Sequence, residues 1–501
     1  MNDELTPILI GCGQYTLKEQ NQDSPESIFD IVEYACKSAA EDSSIGESIW
    51  SKIDTVYGVN SISAGNDLPL VISEKLGCKP EKYVNTTIGG NTPQWLVNLA
   101  AEEISKGNIQ TALLCGGELL KTTKGGVSLE RLAAAKPDIQ GMSFDVIGDG
   151  RNGTNNHEIA HGLAMPVDVY PLFENALRHH YGHSIEEHQK YIGNLYERFS
   201  KVAANHPDSW FKKPMSANTI CEVTASNRYV GFPYTKFMNS IISVNQAAAL
   251  ILTSVANAKK MNIDPSRWVY IHGIADTHDH YYPSERINYY SSPAIKVAGE
   301  EALAMAGLKM KDIEYIDLYS CFPSAVEIAR DALGIAEDDP RDLTVTGGLR
   351  FFGGAGNNYP MHSIATIMDQ VRNKPGSFGL ATGLGWHITK HSIGIYSNEA
   401  ISKPWKRKAP SIYQSAIDAT AKPNFTEKPQ GRAEVETYTV LYDHQNKPRK
   451  GIIIGRLEDQ TRFVANTPHD EAIYQSMSNT QTIGCSGKVS ANNGVNCFEF
   501  E

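Results

Sequence analysis

The sequence predicts an α/β protein made of two similar halves, followed by a small antiparallel β-barrel. Short apolar runs alternate with amphipathic helical segments from the start to about residue 120, as in a mainly parallel sheet covered by helices. The same alternation returns over 261–404, which implies an internal duplication. From residue 432 onward the pattern changes to apolar–polar alternation at turn-rich spacing, which is typical of a small antiparallel barrel.

The first half begins with the apolar run 7–13, which predicts a buried strand. Ser24-Pro25-Glu26 then predicts the start of a helix, because serine is a preferred N-cap and proline suits the first turn. The next predicted elements are strand 53–59, helix 68–76, strand 82–86, helix 93–105 and strand 110–115. Residues 240–259 return to the pattern as a strand and a helix of small residues, so this half comprises 1–120 and 215–260.

Between these two parts, residues 121–214 lose the strand–helix rhythm and predict an inserted lid with helices at 167–180 and 185–204. The second half, 261–404, repeats the alternation. Its predicted elements are strand 268–274, helix 293–306, strand 315–319, helix 323–333, the glycine-rich loop 347–356, helix 359–372 and strands near 378–382 and 392–397.

The tail has a polar, Pro- and Lys-rich stretch at 405–431, which predicts a linker. The predicted barrel then spans 432–501, with strands at 435–442, 451–456, 461–465, 480–489 and 495–500. A barrel this small has a marginal core of its own, so we expect it to dock on the α/β halves.

Charge and composition exclude several classes of protein. The 501 residues carry a net charge of −11, which argues against nucleic acid as a partner because phosphate binding needs a basic face. No apolar run approaches the ~20 residues that span a bilayer. The acidic start lacks the features of a signal peptide, and the eight cysteines lack disulfide-type spacing, so we expect a cytoplasmic protein.

The turn at 319–322, Tyr-Ser-Cys-Phe, joins a short predicted strand to a helix that starts at Pro323. Cys321 therefore lies near a helix N-terminus, where backbone amides and the helix dipole can lower the pKa of a thiol. A packed, unreactive cysteine is the alternative, and the residues alone leave both interpretations open.

Tyr-Ser-Cys-Phe resembles the His-Asp-Cys-Phe motif of the sterol carrier protein type of thiolase, and the alternation over about 5–400 resembles the thiolase fold. The chain is thus identified as a member of the thiolase superfamily, similar to thiolase-like proteins of type 1. The resemblance implies an α-β-α-β-α layering, in which two sheets share a central helical layer. It also implies a coenzyme A thioester as substrate, with no permanently bound cofactor and no metal.

The four catalytic loops of thiolases are matched in position but not in residues. Ile88 or Gly89 stands where the acylated cysteine is expected, and Gly354 stands at the activating histidine. Tyr319 replaces the histidine of the His-Asp-Cys-Phe motif, and Gly385 or a neighbour replaces the acid/base cysteine. We therefore do not expect ordinary thiolysis by a Cys-His-Cys set.

Polar residues on the same loops provide the candidate site. The catalytic candidates are Cys321, Tyr319, His362 and His391. The candidates for binding the coenzyme A thioester are Asn85, Gly89, Gly90, Gly353, Gly354 and Asn358. Histidine transfers protons near neutral pH, and tyrosine can do so when its surroundings tune it.

The resemblance implies an acyl-CoA-handling protein of lipid metabolism, first of all an acyltransferase similar to acetyl-CoA acetyltransferase. The alternatives are a thiolase-like retro-aldolase, because such enzymes have tyrosines where thiolases use cysteine and histidine, and a non-catalytic coenzyme A-binding protein. A homodimer, as related thiolases form, and a monomer both stay open.

Three histidine-containing clusters offer other chemistry. His157-Glu158-Ile159-Ala160-His161 matches the zinc-protease pattern, but Gly162 and Pro166 argue against a long helix there. His179, His180, His183 and His188 could face a metal from one helix, but Gly182 interrupts it, and we expect a solvated surface. His278-Asp279-His280 follows a predicted strand, and its role is left open.

Overall fold

The computed structural model describes residues 3–18, 27–121, 142–492 and 494–501. The strands are β1 Pro7–Thr16, β2 Thr55–Gly58, β3 Lys82–Thr86, β4 Thr111–Leu119, β5 Asp145–Ile147, β6 Tyr229–Gly231, β7 Tyr234–Thr235, β8 Asn245–Ser254, β9 Val269–His278, β10 Tyr315–Asp317, β11 Gly379–Gly385, β12 Lys390–Ser397, β13 Gln430–Tyr442, β14 Pro448–Leu457, β15 Arg462–Asn466, β16 Ser486–Asn492 and β17 Val495–Phe500.

The α-helices, numbered over the described residues, are α1 Ile28–Asp42, α2 Leu68–Leu76, α3 Thr92–Lys106, α4 Asn156–Ala160, α5 Pro166–His180, α6 Ile185–Asn205, α7 Ala217–Cys221, α8 Val255–Lys260, α9 Pro293–Ala306, α10 Pro323–Ala332, α11 Gly348–Phe351, α12 Tyr359–Asn373, α13 Pro410–Asp418 and α14 Glu471–Asn479.

The predicted duplication is visible in the order of strands in the large sheet, β10-β11-β12-β9-β1-β8-β4-β2-β3-β5. In the first half β1 pairs antiparallel with β8, β8 antiparallel with β4, and β4 parallel with β2. In the second half β9, β12, β11 and β10 repeat the same three relations. The halves meet where Ile8 and Leu9 of β1 pair with Tyr270 and Val269 of β9.

Helices cover both faces of each half of this sheet. The helices α3 and α12 form the layer that the two halves share, so the order of layers is the expected α-β-α-β-α. Leu96 and Val97 of α3 share a buried cluster with Ile364 and Ile367 of α12, and this cluster includes strand residues from both halves. The helices α1 and α2 pack in a second cluster on the first half. Those of the second half, α9 and α10, pack in a third, together with the inserted helices α5 and α6. Each strand is therefore held between two apolar layers.

Two details of the sequence prediction fall on residues outside the described ranges, and the structure corrects a third. The N-cap of α1 is Ser27, whose hydroxyl accepts from the Asp30 amide, whereas Ser24-Pro25-Glu26 lies outside the described residues. The stretch 122–141 of the expected lid also lies outside them. Within 405–431, α13 forms a helix in what the composition indicated to be a linker.

The tail folds into a closed five-stranded barrel with strand order β14-β15-β17-β16-β13, closed by β13 on β14. Four of the pairings are antiparallel, whereas β15 and β17 pair in parallel through Asn466 and Cys497. The sequence predicted an antiparallel barrel, and this one pairing differs from that prediction. The helix α14, which the sequence pattern did not predict, connects β15 to β16 and packs Tyr474 and Met477 into the barrel core.

The barrel docks on the α/β core, as expected. Its strand β13 pairs with β6 through Leu441 and Gly231, and the Asn175 amide on α5 donates to the carbonyl of Tyr438 over 2.9 Å. Arg462 of β15 is fully buried between the two parts: it pairs with Glu436 of the barrel at 2.6 Å and donates to the carbonyl of Ser284 in the core at 3.0 Å.

Among the described residues, no helix combines the length and the apolar character that crossing a lipid bilayer requires.

Candidate functional site

The loops that the sequence singled out meet at one place, the N-terminus of α3. The backbone N–H of Gly89 donates to Asn357 Oδ1 over 3.0 Å, which ties the loop after β3 to the glycine-rich loop before α12. A Cβ placed on Gly90 would lie 2.2 Å from Tyr319 Oη and 2.5 Å from the carbonyl oxygen of Leu384. Three chain segments, around 90, 319 and 384, are thus in direct contact.

Lys390 and Asn91 occupy the space at the positions where cysteines were expected. A Cβ on Gly89 would lie 2.6 Å from Asn91 Oδ1 and 3.0 Å from Lys390 Nζ. A Cβ on Gly385, the other expected cysteine position, would lie 2.4 Å from the same Asn91 oxygen and 2.9 Å from Lys390 Cε. Both glycines therefore face one amide and one ammonium group, which leave no room for a thiol at either position.

The ammonium group of Lys390 is held by backbone carbonyls. Its Nζ donates to the carbonyl of Ile88 over 2.8 Å and to that of Asp149 over 3.3 Å. Burial lowers the pKa of Lys390 to about 8, although the Asp149 carboxylate opposes this shift. An ammonium group has three N–H donors, so the carbonyls named above leave a third donor for a ligand. The Asn91 Oδ1 acceptor beside it is buried and has no hydrogen-bond donor among the described residues.

His391, the next residue on β12, forms a dyad with Asp279. Its Nε2 lies 3.2 Å from Asp279 Oδ2, and both side chains are almost fully buried. Burial opposes the charge on Asp279, but the hydrogen bond from His391 and the charge of Arg286 outweigh it and lower the pKa of that carboxyl. An Nε2–H donated to Asp279 leaves Nδ1 as the basic nitrogen of the ring.

A cavity of about 270 Å³ lies beside Lys390 and Asn91. Thr87, Asn91, Thr92 and Trp95 line it from the loop after β3 and from α3. Its other lining residues are Gly148, Asp149, Asp276, Thr277, His278, Tyr281, Lys390, His391, Ser392, Pro410, Ser411 and Gln414. Successive side chains of a strand point to opposite faces of a sheet, so Lys390 and His278, which pair across β12 and β9, share the face of the cavity, whereas the His391–Asp279 dyad lies on the other face, against the start of α9. The cavity is therefore a mostly apolar chamber that offers a cation and a histidine, and the dyad lies outside it.

Tyr319 and Cys321 lie beside this site but are packed. Burial raises the pKa of Tyr319 well above its usual range. Cys321 is only 9% exposed, and burial raises the pKa of its thiol to about 12, against hydrogen bonds from Tyr170 and from the Phe322 amide. The expectation that the helix N-terminus lowers the pKa of Cys321 is therefore wrong, because loss of solvation outweighs the dipole.

His362 lies on α12 in a buried setting of its own. Its Nδ1 is 2.8 Å from Gln14 Oε1, its ring packs against Phe352, and burial lowers its pKa to about 3. None of the contacts that the structure gives His362 joins it to Tyr319, Cys321 or His391, so the predicted catalytic residues do not form one group.

Most of the predicted binding residues support the loops. Asn85 donates to the carbonyl of Asn66 over 2.8 Å, and Asn358 donates to that of Gly116 over 2.8 Å. Gly353 has a φ of +130°, and a Cβ at this position would lie 2.2 Å from the side-chain oxygen of Gln246. The Gly354 amide donates to the carbonyl of Ile241. Gly89 and Gly90 alone of the predicted binding set contact the Lys390 and Tyr319 side chains.

The zinc-protease pattern is explained by local structure. Its helix, α4, has five residues, and the Glu158 carboxylate accepts from the amides of Asn155 and Ser284 at 2.8 and 2.7 Å. His161 Nε2 accepts from the Asn496 amide over 2.9 Å. These groups therefore join α4 to neighbouring segments. Of the histidines expected on a solvated surface, His188 is instead buried, with its Nε2 2.5 Å from Glu174 Oε1.

The sequence prediction did not include Lys390 in the site, and it left the role of Asp279 open. The available signal was the pair Lys390-His391 at the start of a predicted strand, together with His278-Asp279-His280 at the end of another. These two strands pair antiparallel, Lys390 with His278, which brings the two polar clusters together. That pairing joins residues 112 positions apart, and a single sequence gives no register for it.

Comparison with known proteins supports the thiolase-like fold. The model of the thiolase-like protein type 1 additional C-terminal domain matches residues 413–494. The chain is similar to bovine (Bos taurus) sterol carrier protein 2, at 23% identity over 74% of this chain and 63% of that one. It therefore spans less than two thirds of the length of that curated relative.

Two solved structures are similar to the whole chain or to most of it. The monomeric SCP2-thiolase like protein type 1 from Mycobacterium smegmatis is 35% identical, covers 100% of both chains and has a TM-score of 0.86. The Ltp2-ChsH2(DUF35) aldolase is 17% identical, covers 79% of this chain and 98% of that one, and has a TM-score of 0.60. The second likeness concerns the fold alone.

Proposed function

The chain belongs to the SCP2-thiolase-like proteins of type 1, and from that premise we propose that it binds the acyl end of a coenzyme A thioester in the Lys390 cavity and transfers protons to and from it. The observation that carries this proposal is the position of one ammonium group and one amide between two loops on which the resemblance leads us to expect cysteines. Lys390 and Asn91 lie next to both Gly89 and Gly385.

His278 and the ammonium group have complementary roles in this proposal. An imidazole nitrogen of His278, which lines the cavity and pairs with Lys390 across two strands, accepts a proton from the carbon next to the thioester carbonyl. The carbonyl oxygen gains the electron pair and becomes an enolate oxygen, which the third N–H of Lys390 stabilises. Return of the proton from His278 to carbon restores the thioester, so atoms and charge balance.

The same enolate is the leaving fragment of a retro-aldol cleavage, which makes carbon–carbon chemistry the reaction class that these groups favour. In that case His278 takes the proton of a β-hydroxyl group, the carbon–carbon bond breaks, and its electron pair forms the enolate. Acyl transfer, the first function expected from the resemblance, needs a nucleophile. Cys321 supplies none at neutral pH because burial raises the pKa of its thiol to about 12.

The size of the cavity limits what enters it. Small-molecule sites usually measure roughly 300–1,000 Å³, and this cavity is about 270 Å³. A short acyl group and the thioester fit that space, whereas the nucleotide end of coenzyme A has to lie outside. We therefore propose short acyl thioesters as the ligand class.

Binding and proton transfer can be measured separately. Calorimetry with coenzyme A, acetyl-CoA and acetoacetyl-CoA measures binding, and mass spectrometry after incubation in D₂O measures exchange at the acyl α-carbon. We expect wild-type protein to bind and to exchange. His278→Asn should lose the exchange about 100-fold or more while binding within a few-fold of wild type. Lys390→Met should weaken both.

The matched control is His362→Asn, which makes the same change at a histidine outside the cavity. It should leave binding and exchange unchanged. Binding without exchange in the wild type would favour a non-catalytic coenzyme A-binding protein, and absence of binding by all three compounds would overturn the proposal.

A further inference from the structure

Glu174, His188 and Glu327 form a buried cluster where α5, α6 and α10 meet. Glu174 and Glu327 are 0% exposed and His188 is 1% exposed. One potential ligand atom from each residue lies within 4.8 Å of the other two. None of the three lines the Lys390 cavity, so the cluster is separate from the proposed acyl-thioester site.

The hydrogen bonds within the cluster leave Glu327 unpaired. Glu174 Oε1 lies 2.5 Å from His188 Nε2, and Glu174 Oε2 accepts from the Tyr234 hydroxyl over 2.5 Å. Both carboxylate oxygens of Glu327 are buried and have no hydrogen-bond donor among the described residues. A charged carboxylate in this setting is costly unless a cation lies beside it.

The nearby arginine is already engaged. The Arg330 guanidinium donates to the Asp331 carboxylate over 2.6 Å, to the Tyr181 hydroxyl over 3.1 Å and to the Tyr191 hydroxyl. Burial and the adjacent Glu174 carboxylate raise the pKa of Glu327, which is the direction expected for a carboxylate without a counter-ion. The cluster thus contains two carboxylates that face each other without a dedicated cation.

We propose that Glu174, His188 and Glu327 bind a divalent transition-metal ion such as Zn²⁺ or Mn²⁺. One imidazole nitrogen and two carboxylates are a common ligand set for such ions, and three protein ligands leave further positions for water. The Tyr234 hydroxyl orients Glu174, and His183 Nδ1 lies 3.2 Å from His188 Nδ1. Outer hydrogen bonds of this kind fix ligands in metal sites.

The ion would stabilise the turn at 319–322, which lies beside the proposed active site. It joins the inserted helices α5 and α6 to α10, which starts at Pro323. Ser324 on α10 lies 2.7 Å from the same Tyr234 hydroxyl that contacts Glu174. Metal binding should therefore stabilise the fold, and it does not depend on the acyl-thioester proposal.

The first test measures metal in the full-length protein. The protein is treated with a chelator, dialysed, and reloaded with Zn²⁺ or with Mn²⁺. We expect one ion per chain by plasma mass spectrometry after excess metal is removed. We also expect a melting temperature that rises with the concentration of free metal, because an ion that binds the folded state stabilises it. Less than one tenth of an ion per chain with both metals would overturn the proposal.

Glu327→Gln is the decisive variant, because it keeps the side-chain shape and removes the negative charge. Without metal it should melt at the same temperature as wild type or higher, since an unpaired buried carboxylate is gone. With metal, wild type and the control Glu337→Gln, the same change on an exposed side chain, should be stabilised. Glu327→Gln should not respond. An equal response of Glu327→Gln and wild type would contradict the site.

Discussion

At the residue scale, the glycines at 89, 90 and 385 decide which chemistry the site can perform. Their missing side chains leave space that Lys390, Asn91 and Tyr319 fill from other segments. A cysteine placed at any one of these positions would clash with those groups, so a single substitution does not restore a thiolase. The cation and the histidine that line the cavity suit the proposed enolate chemistry better than acyl-enzyme formation.

Cys321 should be unreactive in the folded protein. With a pKa of about 12, its thiolate fraction at neutral pH is on the order of 1,000-fold below that of a free cysteine. Labelling with iodoacetamide at pH 7 and peptide mass spectrometry should show Cys321 modified far more slowly than the half-exposed Cys485. Urea-unfolded protein, in which both thiols are free, is the control. If folded Cys321 were labelled rapidly and an acyl thioester slowed the labelling, this prediction would be wrong and Cys321 would again be a candidate catalytic residue.

Lys390 should titrate near pH 8, because burial lowers its pKa to about that value. Below pH 8 the amine is protonated, and above it the neutral, nucleophilic form dominates. Trace labelling with acetic anhydride over pH 6–11, read by mass spectrometry, should give half-maximal reactivity at about pH 8. Urea-unfolded protein, in which Lys390 is free of its burial, is the reference and should reach half-maximum about two pH units higher. Coincident curves for the folded and unfolded protein would be inconsistent with the buried site.

At the element scale, the barrel and the core are joined by a strand, a helix and one arginine. Asn175 and Leu172 on α5 contact the backbone or side chains of β13, through the bonds Asn175 to Tyr438 and Thr437 to Leu172. Arg462 adds a buried ion pair with Glu436 and packs its guanidinium 5.0 Å from the centre of the Tyr289 ring. The barrel is therefore part of the folded core and not a mobile appendage.

Replacing Arg462 should destabilise this junction strongly. Arg462→Met leaves the carbonyl of Ser284 without this donor and removes the fully buried one of the two arginines that pair with Glu436, and breaking a buried pair costs about 3–5 kcal/mol. Arg456→Met is the matched control, because Arg456 pairs with the same Glu436 at 2.9 Å but is 23% exposed. It should cost about 1 kcal/mol or less. Calorimetry should show the large loss for Arg462→Met only, and equal losses for both variants would contradict a role in the junction.

At the scale of the whole molecule, the sequence predicted most elements because their ends carry local signals. The bounds of α2 and α9 match the prediction, since Gly77 and Gly307 end these helices in the left-handed conformation at φ +67° and +73°. The alternation of strand and helix patterns in both halves likewise predicted the internal duplication. The sequence did not reveal α14 or the parallel pairing of β15 with β17, which depend on how the barrel closes.

The candidate sites were harder to predict than the fold, for a physical reason. Asp279 and His391 meet only through the register of two strands, and Glu174, His188 and Glu327 meet only through the packing of three helices. Neither arrangement leaves a short-range pattern in one sequence. Conversely, Cys321 had a strong local signal at a helix start, but tertiary burial reversed its expected effect on the pKa.

The last prediction concerns oligomeric state, which the sequence left open. The edge of β3 is covered by β5, which pairs in parallel through Val84 with Asp145, Asn85 with Val146 and Thr86 with Ile147. Since an open strand edge is a template for pairing with another chain, this cover removes one route to a dimer. We expect wild-type protein to sediment as a monomer of 55.0 kDa.

Uncovering that edge should change the result. Val146→Pro removes a backbone N–H from β5 and disfavours the strand, so the β3 edge becomes available and association should increase with protein concentration. Val146→Thr, which keeps the β-branched side chain and the N–H, should stay monomeric. Sedimentation velocity of the three proteins compares them directly. A wild-type species of twice the monomer mass, or no association by Val146→Pro at any concentration, would show that β5 does not control assembly.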